Sequence, residues 1–382
     1  MLLEYLLELN EDYKTNLRFG AYDLSDKLTV MLIGLLVIGS ATTSYKFYIN
    51  SPLMCFTANN PTGENFIEFA TNYIWAHGSI PASSLNQSMI EGMDEWQAAL
   101  KDQGIHYYQW VPVIFLLQSL TFLFVRYIWQ STASTGASYN LSSLLSKCVS
   151  THSTIEEEKI KEISSMLLQT VDKSFSPTSF WNKVKAFIQN AFRISCFSRR
   201  IGNWMSSNYI LYKMLIICIG LLQAFTISRI FNITPLDVSE IWSGSDQFSN
   251  SNFPRSVIGF VPDVAVLGSY NSYTVNCIMS INLINEKLFI LIQSLLIFVA
   301  FINLCSLISW TVDIGFQCSR IHFIKKYLLE SNPKENISRF VNSHLKCDGV
   351  FMLRMIKKNC DNHLVRRIIN NLWTQFNSGL DA

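Results

Sequence analysis

Four long apolar runs restrict the fold of this chain more than any other feature of its sequence. They extend over residues 28–45, 111–129, 209–231 and 288–312. Each approaches the ~20 residues that a helix needs to cross a hydrocarbon core about 30 Å thick. With 49% hydrophobic and only 15% charged residues among 382, the composition is also too apolar for an ordinary soluble protein. We therefore predict an all-α membrane protein with four transmembrane helices.

The first run, 28–45, is the shortest, and its second half is polar. It contains Ser40, Thr42 and Thr43. A buried core helix remains the alternative for a run near the short end of the spanning range. In a membrane bundle, hydroxyl groups cost least where they face water. We therefore expect Ser40, Thr42 and Thr43 to face water inside a bundle.

The basic residues are unevenly distributed among the segments outside the runs. Segments 1–27, 46–110, 130–208, 232–287 and 313–382 contain 3, 2, 9, 2 and 11 Lys and Arg residues. This alternation follows the positive-inside rule. We predict that both termini and the middle loop are cytoplasmic, and that the first and third connections are extracellular loops.

Two basic residues lie inside the predicted spans. Arg126 is near the inner end of the second run and Lys213 near the inner end of the third. Long basic side chains at such positions can extend their charged ends to the interface. We predict that both reach the cytoplasmic surface in this way.

The two largest cytoplasmic segments show apolar residues at helical spacing. Ile160, Ile163 and Leu167 form one such stripe in the middle loop, and the tail contains others over 350–358 and 364–376. Stripes of this kind are typical of helix faces that pack into a core. We predict that the middle loop and the tail together build a helical cytoplasmic domain.

Only two cysteines fall in the predicted extracellular loops, Cys55 in the first and Cys277 in the second. These two alone would meet an oxidising compartment. One cysteine in each loop favours a single disulfide bond between Cys55 and Cys277. Two free or intermolecularly paired thiols remain the alternative.

The sequence offers no convincing catalytic motif. It has no Walker loop, dinucleotide fingerprint or nucleophile elbow in a suitable context, and no basic run typical of nucleic-acid binding. His344, Cys347, Cys360 and His363 have a spacing that fits zinc. Cytosolic cysteines, however, are more often small buried hydrophobes. We predict no enzymatic activity, no metal, no cofactor and no nucleic-acid partner.

A hexapeptide stands directly before the second run: Tyr107–Pro112, with the sequence Tyr-Tyr-Gln-Trp-Val-Pro. Aromatic rings of this kind collect at the level of lipid headgroups, and Pro112 suits a first helical turn. The order of the six residues resembles the signature of the innexins, the invertebrate gap-junction channel proteins. Segments 23–28, 286–290 and 348–353 also resemble innexin segments.

This resemblance implies a channel subunit in a ring of six or eight like subunits, passing ions and small molecules. It also implies that the first span and an amino-terminal helix line the path. Carried over to this sequence, the pore-lining candidates on the first span are Ser40, Thr42 and Thr43, and the amino-terminal ones are Leu2, Leu3, Glu4 and Leu7. A cytoplasmic or interfacial helix is the alternative for those residues.

The chain departs from the innexin pattern in its outer loops. Innexins usually have two cysteines in each outer loop, which form two disulfide bonds between the loops. This chain has Ile74 and Gly259 at the positions where the innexin pattern has the other cysteine of each loop. If the family joins the first cysteine to the last, Ile74 and Gly259 mark one missing bond. Asn86 begins a glycosylation sequon in the first loop. A glycan at Asn86 would crowd the face on which two channels dock, although the sequon can also go unused.

The resemblance favours an intercellular gap-junction channel, with a second ring on an apposed cell and membrane lipid around each ring. The missing disulfide and Asn86 favour an undocked plasma-membrane hemichannel instead. A non-channel adhesion or scaffold protein is the alternative from a different functional class.

Overall fold

The computed structural model describes residues 23–48, 53–57, 63–84, 93–134, 144, 148, 157–172, 203–231, 253–266, 269–328 and 334–378. Its helices are α1 (Leu24–Tyr48), α2 (Glu64–His77), α3 (Met93–Gln103), α4 (Val111–Ser134), α5 (Glu157–Asp172), α6 (Trp204–Phe231), α7 (Ser280–Gly315), α8 (Gln317–Tyr327), α9 (Lys334–Arg339), α10 (Lys346–Asn359) and α11 (Asn362–Ser378). The strands are β1 (Met54–Phe56), β2 (Ile80–Pro81), β3 (Ser256–Val266) and β4 (Ser269–Ile278).

Four of these helices, α1, α4, α6 and α7, are long and apolar enough to cross a membrane, which confirms the predicted fold class. Helix α7 begins well before residue 288, where the apolar run begins. Its first turns contain Asn282, Asn285 and Glu286, and the low hydropathy of these residues predicts a loop at this position. All three side chains are buried against protein. The helix therefore extends through them.

The chain divides into two compact units. We call the first the tail unit, which comprises Met1–Met31, Phe122–Ile219 and Val299–Ala382. The second is the sheet unit, which comprises Leu32–Thr121 and Gly220–Phe298. Each of the four long helices has residues in both units.

The sheet unit contains a four-stranded antiparallel sheet in the order β1-β4-β3-β2. The sequence pattern does not predict this sheet. Strands β1 and β2 are only three and two residues long, too short for an alternating pattern to show. They form strands because the long β3–β4 hairpin supplies hydrogen-bonding edges on both sides.

The first strand is joined to the hairpin covalently as well as by pairing. Cys55 on β1 lies opposite Cys277 on β4, and the two form a disulfide bond. Around this bond the sheet unit has a buried core that includes Leu53, Ala70, Ile74, Ile105, Tyr108, Val257, Val261, Val275, Met279 and Ile281. Core packing and the disulfide thus hold the same strands together.

Ile74 and Gly259, the two positions where the innexin pattern has cysteines, are in direct contact. Ile74 lies on α2 and is buried, while Gly259 lies on β3 opposite Val275. A Cβ atom on Gly259 would stand 2.7 Å from Cγ2 of Ile74, which is much closer than two carbon atoms can approach. The isoleucine therefore fills the space beside β3 that any side chain at residue 259 would need.

The described residues of the tail unit form helices and the short connections between them. On α5, the predicted stripe of Ile160, Ile163 and Leu167 is buried, and this helix packs against α10 and α11. Helix α11 buries a stripe of its own, formed by Leu364, Val365, Ile368, Ile369 and Leu372. The middle loop and the tail therefore share one core, as the apolar spacing predicted.

The double variant Ile74→Cys/Gly259→Cys is expected to form a second disulfide bond. Cβ of residue 74 is one C–C bond from Cγ2, so the Cβ–Cβ distance is at most about 4.2 Å, within the usual range. The bond should add about 2–4 kcal/mol to the free energy of unfolding. Peptide mapping without reductant and thermal unfolding in detergent would measure both effects.

Gly259→Ala is the matched control for this contact. Alone it should destabilise the protein because its methyl group overlaps Ile74, and adding Ile74→Ala should relieve that overlap. Two unpaired thiols in the folded double-cysteine variant would show that residues 74 and 259 are not adjacent.

Candidate functional site

The hexapeptide Tyr107–Pro112 forms a short 3₁₀ turn that leads into α4, and Pro112 occupies the first turn as predicted. The Tyr108 hydroxyl donates to the carbonyl of Trp75 at 3.2 Å, and Gln109 Nε2 donates to the same oxygen at 2.7 Å. The rings of Trp75 and Tyr108 are 4.4 Å apart. The turn is thus fastened to the end of α2.

Tyr107 makes the second attachment of this turn. Its hydroxyl donates to Oδ1 of Asn282 at 3.1 Å, and its ring meets Phe231 edge-on at 5.1 Å. Burial raises the pKa of both tyrosines, that of Tyr108 to about 12, so both hydroxyls stay protonated. Of the three rings, only Trp110 is exposed, at 62%. Tyr108 is therefore a core residue of the sheet unit, and among the three rings only Trp110 has the exposure of a ring in a headgroup belt.

A group of buried polar side chains lies at the start of α1 in the tail unit. We call it the polar cluster, and its members are Asp23, Ser25, Asp26, Thr29, Lys213 and Asn303. Lys213 Nζ lies 2.5 Å from Asp26 Oδ1 and 2.5 Å from Ser25 Oγ. Asn303 Nδ2 donates to Thr29 Oγ1 at 3.1 Å. The cluster therefore links α1, α6 and α7.

The prediction that Lys213 extends to the cytoplasmic surface is wrong. Its side chain does not reach an interface, because it is fully buried and paired with Asp26. Tyr209, one turn earlier on α6, donates its hydroxyl to Oδ2 of the same carboxylate at 2.9 Å. The sequence shows each charge but not their pairing, because the two residues lie on different helices.

Asp23 stands at the amino-terminal end of α1 and joins it to two other segments. Its Oδ2 accepts bonds from Ser306 Oγ at 2.6 Å and Trp310 Nε1 at 3.0 Å, both on α7. Its Oδ1 lies 3.1 Å from Nζ of Lys358 on α10. Burial raises the pKa of Asp23, but these donors and the charges of Lys358 and Lys213 outweigh it and hold the pKa well below its usual range. Asp23 is therefore a carboxylate at any physiological pH.

Asp348, from another innexin-like segment, caps the start of α6. Its carboxylate accepts bonds from the backbone N–H groups of Met205 at 3.2 Å and Ser206 at 3.0 Å, and from the Ser206 hydroxyl at 2.8 Å. Burial raises the pKa of Asp348, and these hydrogen bonds oppose the rise. The cap satisfies N–H groups that a helix cannot satisfy internally.

The innexin-like segment 286–290 also forms contacts inside the protein. Glu286 is buried and accepts bonds from Arg255 at 3.2 Å and Lys287 at 2.9 Å. Phe289 is fully buried, with its ring 4.3 Å from that of Phe231. All four innexin-like segments therefore contribute side chains that hold helix ends in place.

The pore-lining candidates on α1 differ in their surroundings. Thr42 is exposed, whereas Thr43 is fully buried and donates to the carbonyl of Gly39 at 2.8 Å. Ser40 donates to the carbonyl of Pro112 at 2.8 Å. Of the three, only Thr42 has an exposed side chain.

Several predicted residues lie outside the described part of the chain. These are Leu2, Leu3, Glu4, Leu7 and Asn86. Among the described residues, no group of three or more His, Cys, Asp and Glu side chains could hold a metal ion. Cys347 accepts a hydrogen bond from Arg320.

Lys213→Met is expected to cost about 3–5 kcal/mol in the free energy of unfolding, because it leaves the Asp26 carboxylate buried without its cation. The double variant Lys213→Met/Asp26→Asn should recover much of that loss. Thermal unfolding of the detergent-extracted protein would measure both effects.

Lys27→Met is the matched control, because Lys27 is next to Asp26 but exposed. It should change stability by no more than about 0.5 kcal/mol. Equal losses from Lys213→Met and Lys27→Met would contradict the buried ion pair.

Comparison with known sequences agrees with these features. The sequence profile of the family described as Innexin matches residues 21–376. Innexin-12 of Caenorhabditis elegans is 27% identical over 380 residues, which cover 94% of this chain and 89% of that protein. Innexin-19 of Caenorhabditis briggsae is 25% identical, with coverages of 94% and 87%, and Innexin unc-9 of C. elegans is 24% identical, with coverages of 93% and 92%. The chain belongs to the innexin family.

Proposed function

We propose that this chain is a pore-forming subunit of a gap-junction channel that passes ions and small molecules between adjacent cells. The observation that carries the proposal is the family match, which extends over all four potential membrane helices. Passage through such a pore needs no covalent chemistry, because pore width and wall charge select what passes. The chain is accordingly not an enzyme.

The proposed orientation has the first and third connections outside the cell, and both termini and the middle loop in the cytoplasm. The Cys55–Cys277 disulfide of the sheet unit supports this, because such bonds persist in oxidising compartments. The concentration of Lys and Arg in segments 130–208 and 313–382 supports it independently. Both termini are then cytoplasmic.

The proposed assembly is a ring of six or eight like subunits in the plasma membrane. Support comes from apolar side chains on the long helices that the single chain leaves exposed, among them Leu117, Phe124, Leu222, Phe225, Phe298 and Phe301. Such surfaces suit lipid tails and neighbouring helices. A second ring on an apposed cell completes an intercellular channel.

The proposed path runs beside α1 and the amino-terminal residues. Of the three candidates on α1, Thr42 is the exposed one, although its hydroxyl, like those of Ser40 and Thr43, donates to a backbone carbonyl. Leu2, Leu3, Glu4 and Leu7 are the proposed constriction, and Glu4 would favour cations there.

An undocked hemichannel is the second candidate, and the contact between Ile74 and Gly259 favours it. This contact replaces a covalent tie with packing alone, so the sheet unit holds one disulfide among its described residues. A docking face held less firmly would join a second ring less readily. A scaffold protein without a pore remains the alternative that requires no conduction.

Paired cells expressing this chain are expected to exchange a small fluorescent dye, and single cells to take up little of it. Dye uptake by single cells without exchange between pairs would indicate the hemichannel. If neither occurs in cells with the protein at their surface, both channel functions are excluded. Images of the detergent-extracted particle would show the number of subunits and whether one ring or two have formed.

Asn86→Gln is expected to increase dye exchange between paired cells if a glycan at Asn86 obstructs docking. Asn140→Gln is the matched control, because it removes a sequon from a segment proposed to be cytoplasmic. A loss of apparent mass on Asn86→Gln with no change in exchange would separate glycan attachment from docking.

A further inference from the structure

Basic side chains of α8 and α10 gather at the end of α7 in the tail unit. Helix α8 follows α7 after a single residue, Phe316. Helix α10 packs against the same end of α7, where Arg354 Nη1 lies 2.7 Å from Asp313 Oδ1. One turn further along α10, Lys358 Nζ lies 4.5 Å from the centre of the Trp310 ring. These basic residues are therefore held at the end of a potential membrane helix.

Three exposed lysines of this region form one surface, and we call Lys325, Lys326 and Lys357 the lysine patch. Lys357 Nζ lies 5.7 Å from the centre of the Phe323 ring, so this lysine of α10 reaches over α8. Lys326 follows Phe323 by three residues, and side chains at that spacing are neighbours on a helix surface. Two helices thus contribute positive charge to the same place.

The lysine patch differs from the basic residues beside it in its lack of a carboxylate partner. Arg354 is paired with Asp313. Lys358 is paired with Asp23, whose Oδ1 lies 3.1 Å from its Nζ. Among the residues that the structure describes, no Asp or Glu forms an ion pair with a lysine of the patch. Like charges repel one another, and a bound polyanion would remove that repulsion.

Exposed apolar side chains lie where α7 ends and α8 begins. Val312, on the last turn of α7, is 45% exposed, and Phe316 is 63% exposed. Side chains of this kind at the end of a membrane helix suit lipid tails. A molecule with a polyanionic head and an apolar tail therefore matches both the patch and the surface next to it.

We propose that the lysine patch binds the multiply phosphorylated headgroup of an inner-leaflet lipid, a phosphoinositide, with its acyl chains against the end of α7. The inner-leaflet location rests on the orientation given under the proposed function. Basic clusters directly cytoplasmic of a membrane helix are typical of such binding. Each lysine ammonium is a compact charge with three donors. Three of them suit a headgroup with several phosphate charges better than a headgroup with one.

The location of the lysines at helix ends does not by itself explain the patch. All three lie in the last turn of α8 or α10, where a cation stabilises a helix. That effect is local to each helix. It accounts for a basic residue at either end, but not for the approach of Lys357 to Phe323 on the neighbouring helix. The packing of α10 against α8 brings the charges together.

The test measures lipid binding to the full-length protein in detergent, where the result does not depend on membrane orientation. The probes are dioctanoyl phosphatidylinositol bisphosphate and dioctanoyl phosphatidylcholine, and native mass spectrometry measures the bound fraction. The bisphosphate lipid is expected to bind and the choline lipid is not. The variant Lys325→Gln/Lys326→Gln/Lys357→Gln should bind the bisphosphate lipid about 100-fold more weakly, since each lysine at a membrane surface contributes about fivefold.

The matched control is the variant Lys161→Gln/Arg366→Gln/Arg367→Gln. It removes the same amount of charge from exposed residues of the tail unit, but from α5 and α11 instead of α8 and α10. This variant should bind the bisphosphate lipid as the native chain does. Retained particle size on size exclusion shows that each variant is folded.

The proposal is overturned if the native chain does not bind the bisphosphate lipid, or if the folded lysine-patch variant binds it as tightly as the native chain. Equal losses in the lysine-patch and control variants would also contradict it. Free inositol trisphosphate that binds as tightly as the lipid would overturn the assignment to a lipid. The measurement is independent of conduction, so the lipid can bind to a protein that passes no dye, and a failure to bind says nothing against a channel.

Discussion

The buried ion pair of Lys213 and Asp26 is the interaction on which the tail unit most depends. Removing a charge from water is costly, and the cost is offset only if a partner of opposite charge and enough hydrogen bonds are in place. Here Ser25, Tyr209 and Asn303 surround the pair and supply polar contacts to it. Helices α1, α6 and α7 must therefore come together at one register, because any slip would leave a charge buried alone.

Two other carboxylates of the tail unit join separate segments at helix ends. Asp23 binds the hydroxyl of Ser306 and the indole of Trp310, and Asp348 binds the first N–H groups of α6. In both cases a carboxylate from one segment satisfies donors from another. Helix ends, which are otherwise the weakest points of a bundle, thus become the points where separate segments are joined.

The sequence predicted the features that depend on long or periodic patterns. The apolar runs located α1, α4, α6 and α7, and the helical stripe at Ile160 located α5. Prediction from sequence failed where the secondary structure of a segment depends on partners that are distant in the chain. The strand at Ile80 exists because β3 offers an edge, and the polar start of α7 is helical because Asn282 and Glu286 find partners inside the protein.

The amino-acid sequence by itself determined the class of this protein, because hydropathy, charge distribution and the residue order of Tyr107–Pro112 are properties of the chain. The tertiary structure alone decided what those residues do. It placed Tyr108 in a core, paired Lys213 with Asp26 and packed Ile74 against Gly259. Each of these contacts joins residues distant in the chain, and folding creates such proximity through packing that no local pattern specifies.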